Sequence, residues 1–264
     1  MLHARPDEAA GRIDHAVLDV RDVRVRYGGV EAVSGAALKI EAPQVVGLIG
    51  PNGAGKSSLL AAIGGQAQSA SGSVVLLGED VTRLPPHRRA RLGIIRTFQT
   101  AGVFDGLTVF ENLLVAGVGE EGSTLRAALG TRAQSRRRTQ AASDLARQVL
   151  EEFEIWHIAD LYGRELSGGQ RRLVEIARCL MRSPKLLLLD EPMVGVAPHL
   201  VDRIGEHCKR IRESGVAILI VEHSMEVIST ICDRVIVMAS GQVIDDGPFD
   251  VVMQSGSVKE AYLA

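Results

Sequence analysis

The sequence predicts an α/β fold with a mainly parallel sheet, and three observations carry that prediction. Short aliphatic runs alternate with stretches of helical periodicity, the pattern of parallel strands joined by crossover helices. The run "QVVGLIG" (44–50) is continuously apolar and ends in a glycine-rich turn, as a strand buried on both faces does. The core must be aliphatic, because hydrophobic residues make up 46% of the 264 and aromatics only 3%. A chain of this length exceeds the common domain size of about 100–150 residues and can bury a sizeable core.

The elements follow in order. The N-terminus, MLHARPDEAAGR, mixes both charges and has no apolar h-region, so residues 1–16 are expected to be a loose tail and not a signal peptide. "AVLDVRDVRVRYG" (16–28) is a strand with partial alternation, and "SGSVVLLGED" (71–80) and "LGIIRTFQ" (92–99) are further strands. From Thr108 to about Tyr162 the texture changes to Ala, Leu, Arg and Glu with few β-branched runs, which predicts an inserted helical subdomain. Arg136–Arg138 within it form a solvated helix face. After Ser167 a helix places Leu173, Ile176, Ala177 and Leu180 on one face. "KLLLLDEP" (185–192) is a buried strand, and "PHLVDRIGEHCKRIRESG" (198–215) a helix closing at Gly215. "VAILIVEH" (216–223), "RVIVMAS" (234–240) and "QVIDDG" (242–247) complete the strands.

Several function classes drop out. A formal charge of −2 is not that of a surface built to hold nucleic acid or acidic lipid. Cys179, Cys208 and Cys232 are far apart with no CxxC, which argues against a disulfide framework or zinc site and for reduced thiols. Apolar runs such as "KLLLLD" and "VAILIV" are far shorter than the ~20 residues that span a bilayer, so a membrane role is expected to come through a partner.

The chemistry is concentrated in "GPNGAGKSS" (50–58), which fits G-x-x-x-x-G-K-[ST] between an apolar strand and the helix-compatible "SLLAAIGG". Across Gly50, Pro51, Asn52, Gly53, Ala54, Gly55, Lys56, Ser57 and Ser58, backbone N–H groups can converge on a phosphate, aided by the dipole of the helix that starts there. Lys56 is expected to reach the β- and γ-phosphates and the Ser57 hydroxyl to ligate Mg²⁺. This is a nucleoside triphosphate site on a P-loop NTPase fold. Asp190, at the end of "LLLLDE", is expected to hold Mg²⁺, and Glu191 to polarise an attacking water.

A second glycine pair, in "ELSGGQRRL" (165–173), has no use in that cradle. With "GPNGAGKSS", the glutamine of "RTFQ", "LSGGQ", "LLLLDEP" and the histidine of "VEH" in this order, the chain resembles the ATP-binding subunits of ABC transporters from about residue 17 to its C-terminus. The resemblance implies a RecA-like core with an N-terminal antiparallel β portion. It implies an ATPase domain at 17–264, with the nucleotide-binding core at 17–100 and about 165–264 and the helical subdomain at about 101–182. It further implies that Ser167, Gly168, Gly169 and Gln170 bind the γ-phosphate of ATP held by an opposite ATPase subunit, identical or not, in an ATP-dependent dimer. The physics agrees, since a serine and two glycines at a helix start favour close approach of an anion, although Ser167 also suits an N-cap. By the same resemblance Tyr27 stacks on adenine, Gln99 contacts Mg²⁺ or the water, and His223 contacts the γ-phosphate. Glu191 is the general base or water-orienting group.

The resemblance is strongest to the ATPases of branched-chain amino-acid importers and their relatives for urea and amides, through "RTFQTAGVFDGLTVFENLLVAG" (96–117), "RRLVEIARCLMRSPKLLLLDEPMVGVAP" (171–198) and "AYLA" (261–264). It implies a cytoplasmic protein, peripheral on the inner face of the membrane, that binds transmembrane permeases and touches neither the solute nor nucleic acid. The docking surface is expected at Val103–Phe110, where Val103, Phe104, Leu107, Val109 and Phe110 either receive a permease helix or seal the inserted subdomain. One departure stands out: Ala197 occupies a position where the family commonly has Asp or Asn. Alanine cannot make the hydrogen bond across the dimer that the resemblance implies, although related amino-acid transporter subunits also carry Ala here. A lone P-loop kinase or GTPase would leave "LSGGQ", Gln99 and His223 unused. A non-transport member would commonly carry a long coiled-coil insertion or two nucleotide domains, and this chain shows neither.

Overall fold

The computed structural model describes residues 15–68, 71–97, 102–118 and 132–263. They form two compact units, one of the described residues within 1–96, 185–194 and 201–264, the other of those within 97–184 and 195–200.

The first unit has two sheets. One is antiparallel, with β1 (Leu18–Tyr27), β2 (Val30–Ile40), β4 (Ser71–Leu76) and β5 (Glu79–Asp80) in the order β2-β1-β4-β5. The partial alternation of β1 has a cause. A bulge between Val20 and Val23, with Asp22 at φ 45°, restores Val20, Val23 and Val25 to one buried face despite their uneven spacing. The other sheet orders six strands β10-β9-β3-β8-β7-β6: β3 (Val45–Ile49), β6 (Ile94–Arg96), β7 (Leu186–Asp190), β8 (Ala217–Val221), β9 (Arg234–Ala239) and β10 (Gln242–Gly247). Every pair is parallel except β10 with β9. β3, β7 and β8 are buried at all five positions each, which is why their sequences do not alternate. Helix α1 (Lys56–Gly64) touches both sheets, and Leu59, Leu60 and Ile63 join Val20, Ile40, Leu48, Leu188 and Leu219 in one aliphatic core.

Several elements of this unit have little sequence signal. β2 reads VEAVSGAALKI, with small and polar residues along much of its length. The short helix α2 (Pro86–Leu92) buries Arg89, only 2% exposed, whose guanidinium donates to four carbonyls: Leu84 at 2.9 Å, Thr82 at 2.7 Å, and Ala62 and Ile63 at 2.6 and 2.7 Å. The last two belong to the final turn of α1, so a cation caps that helix.

The second unit is helical: α3 (Val109–Val118), α4 (Arg132–Glu152) and α5 (Gly168–Leu180), packed against one another. Leu173, Ile176, Ala177 and Leu180 of α5 are buried, as their spacing predicts. Arg137 of α4 is exposed. Val109 and Phe110 open α3. Fully buried Asn112 organises the preceding segment, accepting from the Phe104 N–H at 2.8 Å and donating to the carbonyls of Phe104, Leu107 and Thr108. Helices α6 (Pro198–Glu213), α7 (Met225–Ile231), α8 (Phe249–Val252) and α9 (Gly256–Leu263) complete the chain, with Gly215 closing α6 at φ 94°. Among the described residues no helix is long and apolar enough to cross a membrane.

Candidate nucleotide site

The cradle begins where β3 ends. Gly50 has φ 146°, and a Cβ there would lie 2.0 Å from the Met238 carbonyl; at Gly55, φ 97°, it would lie 2.3 Å from the Ala32 carbonyl. Backbone on both sides therefore requires glycine, and the loop is pinned by Ala54 N–H to Pro51 O (3.2 Å) and Gly241 N–H to Ala54 O (3.0 Å). Asn52 and Gly53 are exposed at its crest, Ala54 is buried, and Ser57 and Ser58 are half-buried in the first turn of α1. That turn has neither a side-chain cap nor an acidic residue, so its N–H groups and dipole stay available to an anion. Lys56 Nζ donates to the carbonyls of Gly50 (2.8 Å) and Pro51 (2.9 Å), holding its ammonium at the loop. Burial lowers the Lys56 pKa from its ordinary value, against the pull of Glu191 and Asp190.

The acidic pair faces this loop. Asp190, fully buried at the end of β7, accepts the Ser57 hydroxyl on Oδ1 at 3.3 Å and takes Arg96 Nη2 on Oδ2 at 2.8 Å. Two hard oxygens so close at a helix start fit Mg²⁺, which takes few protein ligands and completes its shell with phosphate and water. Among the described residues no group of three or more His, Cys, Asp or Glu could hold a metal, so phosphates would have to contribute. Glu191 follows at φ 48°, an uncommon conformation for a residue with a side chain, and its Oε1 lies 2.8 Å from His223 Nε2. With the carboxylate accepting, Nε2 carries the proton. β7 and β8 are neighbours in the sheet, so residues 32 apart in sequence meet at one sheet end.

The other expected residues separate. Tyr27 ends β1, 52% exposed, beside the turn at Gly28. Gln99 lies outside the described residues. Ser167 and Gln170 form a reciprocal cap on α5: the Gln170 N–H donates to Ser167 Oγ (3.3 Å), and the Ser167 N–H to Gln170 Oε1 (2.9 Å). Gly168 is exposed. Gly169 is buried, and a Cβ there would meet Leu200 Cδ1 at 2.3 Å, so this glycine is explained by packing. Around the expected docking segment, Val103 and Val109 are buried, whereas Phe104 is 49% exposed under the Arg178 guanidinium, 4.8 Å from the ring. Phe110 packs edge-on against Trp156 at 5.9 Å. Sequence reasoning missed Arg96, the first residue of a motif read only for its glutamine, and Glu222, next to a histidine read alone.

Comparison with known proteins decides the family. Residues 33–194, from the cradle through the acidic pair, match the family model described as ABC transporter. The chain belongs to the ABC transporter family. It is an ABC-type ATPase, and the resemblance read in the sequence holds. The "High-affinity branched-chain amino acid transport ATP-binding protein BraF" of Pseudomonas aeruginosa is 37% identical over 94% of this ABC ATPase and 97% of its own length. The "Lipopolysaccharide export system ATP-binding protein LptB" of Haemophilus influenzae is 36% identical over the same shares, 94% and 97%. A solved nucleotide-free ATP-binding cassette from an ABC transporter matches with a TM-score of 0.81 at 31% identity, covering 94% of this chain and 99% of that one. The α/β fold with mixed sheets and an inserted helical unit is that of ABC ATPase cassettes.

Proposed function

We propose that the chain is the ATPase of an importer for branched-chain or other hydrophobic amino acids, working as an ATP-dependent homo- or heterodimer on the inner face of a membrane. The observation that carries the mechanism is the grouping of Lys56, Ser57, Asp190, Glu191 and His223 at one end of the parallel sheet. In this reading residues 50–58 grip the triphosphate, Ser57 and Asp190, with Gln99, would hold Mg²⁺, and Tyr27 stacks on adenine. Bound Mg²⁺ would offset charge on the phosphates. Glu191, oriented by His223, takes or steers the proton of the attacking water. Arg96 stays on Asp190 and balances its buried charge. Ser167, Gly168, Gly169 and Gln170 complete the site of the opposite subunit, and hydrolysis releases the pair. Within 103–110, exposed Phe104 and half-buried Leu107 and Phe110 are the apolar side chains a permease could reach, while Val103 and Val109 seal the helical unit.

The amino-acid reading is supported by BraF and by the stretches quoted above. Export, as LptB's name states for that protein, is a second reading that the 36% identity favours. Two measurements test the proposal. Glu191→Gln should bind ATP, trap a closed dimer and lower turnover at least about a hundredfold; unchanged turnover removes Glu191 from its role. Vesicles carrying this ATPase with the membrane proteins that co-purify with it should take up leucine when ATP is supplied on the ATPase side. Absence of uptake with intact ATPase rejects amino-acid import.

A further inference from the structure

We propose that Glu222 is a positioning residue for hydrolysis, fixing the turn after β7 so that Glu191 stays against His223; this rests on the reading of that pair given above. The parallel ladder of β7 and β8 ends at Asp190 opposite Val221. One further backbone bond follows, from the Glu191 N–H to the Val221 carbonyl at 2.9 Å. Beyond it a side chain takes over as acceptor. Glu222 Oε1 receives the Met193 N–H at 2.7 Å, and Oε2 receives the His223 N–H at 3.2 Å. A single carboxylate thus grips the main chain two residues past Glu191 and at His223 itself.

Three features separate this from ordinary packing. Glu222 is only 3% exposed, and a carboxylate is seldom buried so completely. Burial pushes its carboxyl above the ordinary range, against the two N–H bonds, which favour the anion. The turn it holds starts with Glu191 at φ 48°, a conformation that persists where surroundings impose it. With the backbone held at Met193 and His223, the 2.8 Å contact between Glu191 and His223 does not depend on two half-exposed side chains finding each other.

Glu222→Gln tests this, because it preserves size but turns an NH₂ group toward one of the two N–H donors. The expected result is a fall in kcat for ATP hydrolysis of about tenfold, with ATP KM and Kd within about twofold of the parent. Unchanged kcat overturns the proposal. So does a parallel loss of kcat and ATP affinity with a lowered Tm, the result of a merely structural role. If the variant does not fold, hydrogen exchange on the parent protein decides: a protected Met193 amide supports the clamp, and exchange at the rate of an open turn overturns it. Glu191→Gln is measured alongside. Parent-like turnover in that variant sinks the reading of Glu191, whatever Glu222→Gln does.

Discussion

The helix starts at Gly55 and at Ser167 are both glycine-rich, and they have opposite hydrogen-bonding states. The first has no capping side chain and no acid in its first turn, and places Lys56 at the loop. The second is closed by its own residues, with Ser167 and Gln170 satisfying each other's N–H groups. One is ready for an anion alone; the other is at rest without one. Yet the cap leaves something over. Ser167 Oγ accepts from Gln170, so its hydroxyl hydrogen remains to be donated, and capping is compatible with gripping a phosphate oxygen from a second subunit. Sequence alone makes the two look like variants of one device. Structure separates them: one helix start is uncapped and the other is closed by its own side chains.

Substitutions can break or sharpen that contrast. The largest effect is expected at Lys56→Ala, where loss of the ammonium should weaken ATP binding at least about a hundredfold in equilibrium titrations. A binding constant close to the parent would mean that the backbone loop suffices. Ser167→Ala should lower stability by about 1 kcal/mol, the usual loss of an N-cap, and depress ATPase activity. Ser167→Asp restores the cap but brings a negative charge to the phosphate, so thermal unfolding should recover while ATPase does not. Recovery of both would reduce the corner to a helix cap. The smallest effect separates the glycines. Gly169→Ala crowds Leu200, whereas Gly168 has only the Gly195 carbonyl near, at 3.8 Å. Gly169→Ala should be less stable than Gly168→Ala by about 1 kcal/mol.

Much of this was legible in the residues. The five-residue runs of β3, β7 and β8 announce buried parallel strands, and the cradle is written out in order. The packing face of α5 follows from its spacing. What escaped had no period or motif. β2 carries Ser34 and Gly35 mid-strand, and α2 is too short for a helical pattern and opens on two prolines. Arg96, Glu222 and Arg89 are single charged residues whose partners are backbone groups or side chains distant in sequence, so no local pattern distinguishes them from surface charges. Gly169 reads in the sequence as a glycine for ligand approach, and only Leu200, 31 positions on, shows that packing also requires it.

Arg89 gives the nucleotide loop a property that its own residues do not explain. A helix ordinarily presents partial charge of either sign at its two tips, about half an elementary unit each. At α1 the negative tip is covered by a full guanidinium, fastened to the Ala62 and Ile63 carbonyls. The rod that carries Lys56 is therefore a one-ended electrode, with its return pole shorted inside the protein and its live pole under the loop.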